Sequence, residues 1–272
     1  MNKLVYVLAL VLLTTSILSA QDAAKYEKLF YKDVTFENDV VKVEIDNIVS
    51  LPKETKFRMS ITNKTSDYLI YNSEESSFEI PGQDVKAKDK SFMIEPNGSK
   101  KKVYRAFGEN LNTVEAFKFV CEGFYQVKMQ EPLTAENFRL PVAANNFKVG
   151  PYDVAHVNHK KATGKTDIKF SVTYKGENLG FIMPSNVAVI MPDGNSYATA
   201  NSKDDAVILK KGESDTFSAS WNRMPGGSKN DMQLREMNIT FNSVFVEGIP
   251  VQVKGETLSI EWDEAMTAGK NK

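Results

Sequence analysis

Phe57-Arg58-Met59-Ser60-Ile61-Thr62 alternates apolar with polar side chains, and this period of two sets the fold class of the chain. Successive side chains of a β-strand point to opposite faces, so Phe57, Met59 and Ile61 would share one buried face. The same alternation recurs at residues 41–45, 103–107, 168–173 and 258–262. Segments with one apolar and one polar face are typical of antiparallel sheets that have one side in the core.

Turn-forming residues separate these segments. They occur at Pro81-Gly82, Pro96-Asn97-Gly98, Pro192-Asp193-Gly194 and Pro225-Gly226-Gly227. Proline presets φ for a turn and glycine accepts positive φ, so such runs favour chain reversal. Many short strands between regular turns predict an all-β fold of the sandwich or barrel type.

The second half of the chain resembles the first. Ile168-Lys169-Phe170-Ser171-Val172-Thr173 follows Phe57–Thr62 at an offset of 111 residues (168 − 57 = 111). Pro192 follows Pro81 at the same offset, 192 − 81 = 111. Ordered matches of this kind indicate an internal duplication.

The duplication predicts two domains after a leader segment. Cys121-Glu122-Gly123 is matched with Val246-Glu247-Gly248, which extends the repeat toward the end of the chain. We therefore predict a first β-sandwich domain over residues 21–143. A second is predicted over 144–272, with a short polar C-terminal tail. A fragment from about Asn146 onward is then expected to fold alone.

A repeat of about 115 residues has the size of an immunoglobulin-like sandwich of roughly seven strands. In pattern and repeat length the chain resembles the tandem immunoglobulin-like modules of bacterial exported proteins. The resemblance implies two antiparallel sandwich domains related by duplication. The paired cysteines that mark antibody domains are absent, because Cys121 is the only cysteine.

The N-terminus has the three parts of a secretory signal peptide. Lys3 precedes an apolar run over residues 4–13, and small residues end at Ser19-Ala20. The apolar run is shorter than the roughly 20 residues that a membrane-spanning helix needs. We predict a signal peptide over residues 1–20 and export to the periplasm, the cell surface or the medium.

Expressed with its native N-terminus in a bacterium, the mature protein should begin near Gln21, because a signal peptide is removed after the small residue that closes it. N-terminal sequencing of the exported product checks this expectation. A membrane-bound product that retains Met1 would contradict it.

The net charge and the apolar runs bear on two classes of function, nucleic-acid binding and membrane spanning. Removing the signal peptide takes away Lys3, so the mature chain carries 33 − 35 = −2 charges. Nucleic-acid-binding surfaces are basic, so a nucleic-acid partner is not expected. No second apolar run reaches spanning length, so the mature chain is predicted not to span a membrane.

His156 and His159 are the chain's two histidines and the first candidates for a metal site. Positions three apart on a strand face opposite sides, so both could bind one ion only across a turn or bulge. A solvated loop is the alternative interpretation, and we predict no metal ligands, no cofactor and no catalytic residues. The acidic pairs Glu74-Glu75 and Asp204-Asp205 are interpreted as solvated loop charges.

Three further residue types invite a functional interpretation. Trp221 and Trp262 could stack on a sugar ring, but both alternate with core positions and are predicted to pack inside. Cys121 is matched with Val246 and is therefore predicted to be a buried, unreactive thiol. Asp193-Gly194-Asn195-Ser196-Tyr197 begins like a calcium-binding loop but lacks the glycine and glutamate that complete it.

The motifs of common enzyme classes are absent from the sequence, including the nucleophile elbow, the phosphate-binding loop and the zinc-protease motif. The leading hypothesis is an exported, non-catalytic module that binds a protein partner in the envelope or at the surface. A glycan-binding module is the alternative, and a hydrolase with a site on its loops is a third.

Overall fold

The computed structural model describes residues 26–86, 91–142, 144–201, 204–226 and 231–271. Its strand pairs are antiparallel and its one α-helix in this part of the chain is short, which confirms the predicted all-β class. The predicted signal peptide, residues 1–20, lies outside the described residues. Across the ranges given above, no helix combines the length and the apolar character that crossing a membrane requires.

The strands are numbered in chain order. The first eleven are β1 (Leu29–Phe30), β2 (Val34–Glu37), β3 (Val41–Leu51), β4 (Glu54–Asn63), β5 (Tyr68–Tyr71), β6 (Ser77–Ile80), β7 (Gln83–Lys86), β8 (Phe92–Ile94), β9 (Ser99–Phe107), β10 (Ala116–Cys121) and β11 (Phe124–Met129). The remainder are β12 (Phe138–Leu140), β13 (Asn146–Val149), β14 (Tyr152–Ala162), β15 (Lys165–Tyr174), β16 (Leu179–Ile182), β17 (Ala188–Ile190), β18 (Ser196–Ala198), β19 (Val207–Leu209), β20 (Ser214–Asn222), β21 (Met237–Thr240), β22 (Phe245–Val253) and β23 (Glu256–Glu261), followed by helix α1 (Glu264–Lys270).

The alternation seen in the sequence is the burial pattern of the strands. In β4, Phe57, Met59 and Ile61 are buried while Arg58 between them is exposed. In β15, the side chains at 168, 170 and 172 are buried in the same way. The period-two prediction is therefore confirmed at both places.

The described chain forms two compact units: unit 1 ends at Gln126 and resumes at Gln252, and unit 2 spans Val127–Val251. In unit 1, one sheet has the order β1-β3-β4-β9, with β2 also paired to β3, and another has the order β23-β10-β6-β7. Phe57 of β4 contacts Phe78 of β6 and Phe119 of β10, with ring centroids 5.2 and 5.0 Å apart. These rings join the two sheets in one aromatic core.

Unit 2 is built from sheets of corresponding order. One is β13-β14-β15-β20, another is β12-β21-β17-β18, and β16 lies between β19 and β22. Phe170 of β15 meets Phe138 of β12 edge-on at 5.2 Å and stacks with Phe217 of β20 at 5.2 Å. The core of unit 2 therefore also lies between two sheets.

The C-terminal segment belongs to unit 1. Strand β23 pairs with β10 along its whole length, from Cys121 opposite Glu256 to Ala116 opposite Glu261. In α1, Thr267 is buried, and its Oγ accepts hydrogen bonds from the backbone N–H of Phe30 at 2.9 Å and from the indole N–H of Trp262 at 2.8 Å. Residues 256–270 thus contribute the strand β23 and the helix α1 to unit 1.

The predicted ranges 21–143 and 144–272 remain a prediction, and the compact units divide the chain at other positions. The difference arises because two strands pair outside the predicted domain in which their sequence order places them. Strand β12 pairs with β21 inside unit 2, and β23 pairs with β10 inside unit 1.

Candidate functional site

The two histidines lie on strand β14, so the interpretation of that segment as a solvated loop is wrong. His156 pairs with Phe170 of β15, and the register then shifts by one residue, so that Asn158 pairs with Lys169. Val157 is the extra residue of this β-bulge. A bulge breaks the strict alternation of side chains and re-aims the residue beside it. The two imidazoles were expected to meet only across a turn or bulge, and the strand has such a bulge.

The imidazole rings approach each other through one nitrogen each. Nδ1 of His159 lies 3.1 Å from Nε2 of His156, and the ring centroids are 5.1 Å apart. His156 is half-buried and stacks on Phe138 at 5.5 Å with an interplanar angle of 27°, whereas His159 is exposed. Burial lowers the pKa of His156, and the neighbouring His159 lowers it further. His156 therefore favours neutral imidazole, which can accept as well as donate.

The outer edge of β14 is paired over only part of its length. Strand β13 covers Tyr152–Ala155, and the N–H of His156 donates to the carbonyl of Asn145 at 2.6 Å. Beyond this point, across residues 157–162, no strand in the described part of the chain pairs with that side of β14. Val157 is 48% exposed there.

The corresponding edge of unit 1 is occupied. Strands β3 and β14 begin 111 residues apart (152 − 41 = 111), and both carry a bulge near the middle. Strand β1 pairs with β3 through Leu29 opposite Ser50 and Phe30 opposite Val49. At the same offset, Val49 and Ser50 correspond to Lys160 and Lys161 of β14.

Nothing local in the sequence indicates this open edge. At the same offset Phe30 corresponds to Pro141 (141 − 30 = 111), but the N–H of Phe30 donates to Thr267 and not to β3, so the missing N–H of proline does not account for the edge. Sequence comparison of the repeats missed this edge.

Two lysines give the open edge a positive charge. Lys160 is exposed, and Lys161 donates from Nζ to the carbonyl of Arg235 at 2.6 Å. Desolvation lowers the pKa of Lys161, while Asp231 and Glu236 act in the opposite direction. The edge therefore offers unpaired backbone groups beside cationic side chains.

Both tryptophans are held inside their own units. Trp221 is 2% exposed, and its indole N–H donates to the carbonyl of Tyr197 at 3.1 Å. Trp262 is half-buried and packs against the core of unit 1. This placement supports the core interpretation of both residues over stacking on a sugar.

Cys121 is fully buried, as predicted. It ends β10, which pairs with β6 and β23, whereas its predicted counterpart Val246 lies in β22 and pairs with Phe181 of β16. The strand pairing therefore does not support that match. Burial raises the pKa of the Cys121 thiol far above its usual value.

The acidic candidates are each held in hydrogen bonds to other protein groups. Asp193 accepts from the backbone N–H of Asn195 at 2.9 Å and from the hydroxyl of Tyr197 at 3.2 Å, which closes a turn. Glu75 accepts from Tyr125 at 2.8 Å, and Asp204 accepts from Asn201 at 2.8 Å. Among the residues that the structure describes, no three His, Cys, Asp or Glu side chains form a group that could hold a metal ion.

No protein-family model and no curated protein matches the chain. Among solved structures, the yjhA protein from Bacillus subtilis aligns over 36% of this chain and 77% of its own length, with 12% identity and a TM-score of 0.27. The secreted serine protease VesC from Vibrio cholerae aligns over 89% of this chain and 52% of its own, with 10% identity and a TM-score of 0.17. AerE from Microcystis aeruginosa aligns over 87% and 99%, with 9% identity and a TM-score of 0.11. Likenesses at these scores carry no argument about this protein.

Proposed function

We propose that this protein is an exported, non-catalytic binding module that engages a protein partner, and that it consists of two immunoglobulin-like sandwiches derived by duplication. The duplication is supported by the corresponding sheet orders β2-β3-β4-β9 and β13-β14-β15-β20. It is further supported by strand starts at a constant offset, as for β4 and β15 (165 − 54 = 111).

The open edge of β14 is the observation that carries the binding proposal. An exposed edge presents unpaired N–H and C=O groups, and an extended peptide can add to it as a further strand. In unit 1 the corresponding edge binds β1 through Leu29 and Phe30. Unit 2 has the same strand and a bulge, and among the described strands none covers its edge beyond Ala155.

The partner segment is proposed to be extended and acidic. Lys160 and Lys161 stand at the two positions that face β1 in the other unit. Charges of opposite sign across an interface raise the association rate and select among partners. Backbone hydrogen bonds would supply affinity for any extended peptide. Acidic side chains would supply the preference for an acidic one.

The glycan-binding alternative is less favoured, because it relied on exposed tryptophan. Trp221 is buried, and Trp262 donates its indole N–H to Thr267 inside unit 1. Trp221 therefore has no exposed face for stacking, and the contacts of Trp262 lie partly inside unit 1.

The edge should bind a ten-residue peptide of alternating valine and glutamate more tightly than the same peptide with lysine in place of glutamate. Reversing both charges, with Lys160→Glu and Lys161→Glu, should weaken the acidic peptide by about tenfold or more, because attraction becomes repulsion. Fluorescence anisotropy of the labelled peptides measures both affinities in buffer of physiological ionic strength.

The matched control is the double reversal Lys210→Glu and Lys211→Glu, which changes the net charge equally at an exposed turn. Equal weakening by both double variants would reduce the effect to overall charge and contradict an edge site. Edge lysines can also serve only to prevent sheet-to-sheet association. If the Lys160→Glu, Lys161→Glu variant self-associates and the wild type binds no peptide, the result would favour this protective role of the lysines.

A further inference from the structure

The spacing of the two facing nitrogens of His156 and His159 fits two ligands on one metal ion. The two facing nitrogens are 3.1 Å apart. With metal–nitrogen bonds of about 2.05 Å, that separation gives a nitrogen–metal–nitrogen angle of about 98°. This angle lies between the roughly 90° of square-planar or octahedral coordination and the roughly 109° of a tetrahedron.

We propose that His156 Nε2 and His159 Nδ1 bind a divalent transition-metal ion of the zinc, nickel and copper class. Imidazole nitrogen suits these ions, whereas calcium and magnesium prefer oxygen ligands. Two neutral imidazoles bring no negative charge to the site, so selectivity depends on this nitrogen preference. The site should therefore discriminate strongly against calcium and magnesium.

The protein holds the first ligand in place and leaves the second accessible. His156 stacks on Phe138 and lies edge-on to Phe170 at 6.3 Å, while its backbone N–H is fixed by Asn145. The Val157 bulge turns the strand so that His159 reaches the same point. Because His159 is exposed, an ion can enter without any rearrangement of the core.

The remaining coordination positions are open. No carboxylate or thiolate completes a three-residue group among the described side chains, so water or a ligand from another molecule would occupy those positions. An ion held by two protein ligands binds more weakly than one in a closed four-ligand site. The same openness lets the ion accept a further ligand, and this proposal does not depend on strand addition at β14.

Zinc titration of the mature protein, purified without a polyhistidine tag, tests the site directly. Because the chain has two histidines, the imidazole region of a proton–nitrogen correlation spectrum contains only these two rings. Zinc should shift the Nε2 signal of His156 and the Nδ1 signal of His159 together, at a stoichiometry of one ion per chain. Calcium at the same concentration should shift neither.

Three variants separate binding from folding. His159→Ala removes the exposed ligand, and His156→Phe removes the other while keeping an aromatic ring against Phe138. Each should weaken zinc binding about tenfold or more in isothermal titration calorimetry and abolish the zinc-dependent rise in melting temperature. Asn158→Ala, an exposed neighbour on the same strand, should bind zinc like the wild type.

Melting curves without zinc show whether each variant is folded, and the exposed His159→Ala variant keeps the test valid if His156→Phe is unstable. Unchanged zinc affinity in His159→Ala would overturn the proposal. Ring signals that do not move at saturating zinc would overturn it equally, and would leave the pair as a hydrogen bond that stabilises the bulge.

Discussion

A chain that ends at Gly255 should lose the cooperative unfolding transition of unit 1. The truncation removes β23, in which Leu258 and Ile260 are buried against the core, and it uncovers the whole edge of β10. Burying two such side chains contributes about 3–6 kcal/mol. The net stability of a domain is only about 5–15 kcal/mol, so the loss is comparable with the total.

Circular dichroism and thermal melting of the truncated chain measure the effect. A chain that ends at Asp263 is the matched control, because it keeps β23 and loses only α1, and it should retain a cooperative transition at a lower temperature. A synthetic peptide of residues 254–272, added to the shorter chain, should restore the transition. Native-like melting of the chain ending at Gly255 would show that the pairing of β10 with β23 is dispensable.

The same pairing revises the expectation that a fragment from Asn146 onward folds alone. That fragment lacks Phe138–Leu140, which pairs with β21, and it carries β23, whose partner β10 is missing. Residues 127–253 are the better choice for an independent fragment, because they contain β12 to β22 whole.

The strands could be predicted from the sequence, but their partners could not. Alternation in β4 and β15 identifies half-buried strands because it reports which side chains avoid water. It carries no information on which strand lies alongside. Cys121 and Glu256 are partners across 135 residues (256 − 121 = 135), and nothing local to either residue records that pairing. The predicted domain boundary near residue 143 rested on sequence order and therefore placed β23 with its nearest neighbours.

The candidate site depended on local irregularities that a regular pattern conceals. Ideal alternation places His156 and His159 on opposite faces, and only the bulge at Val157 brings their rings to 3.1 Å. The open edge beside them carries no local signal in the sequence, because it depends on which strands pair. The bulge and the missing edge partner, and not the alternation, thus define the site.

Cys121→Asp should be the most destabilising point substitution considered, at about 3–5 kcal/mol, because it buries a carboxylate that has no assigned partner. The thiol is fully buried at the end of β10. The backbone of Gly255 packs closely against it, since a Cβ added at Gly255 would collide with the carbonyl oxygen of Cys121. Cys121→Val keeps an apolar group of similar size and should cost less than about 1.5 kcal/mol. Denaturant unfolding of the three proteins measures the differences.

The pH dependence of these stabilities gives the sharper test. Burial raises the pKa of Cys121 above its ordinary value of 9.0, so the folded protein keeps the thiol protonated where the unfolded chain ionises it. The unfolded state therefore binds fewer protons above about pH 9, and the wild type loses stability by up to about 1.4 kcal/mol per pH unit. Cys121→Val lacks this loss. Tyrosines remote from Cys121 are common to both proteins and cancel in the difference. Tyr71 contacts the thiol and does not cancel, but burial raises its pKa well above its usual value, so the comparison is made below about pH 10. The stability of the wild type relative to Cys121→Val should thus be constant from pH 6 to about pH 8 and fall above about pH 9.

A difference that stays flat to pH 10, together with rapid labelling of the folded thiol, would place Cys121 at the surface and remove the basis for the packing of β10 against β23.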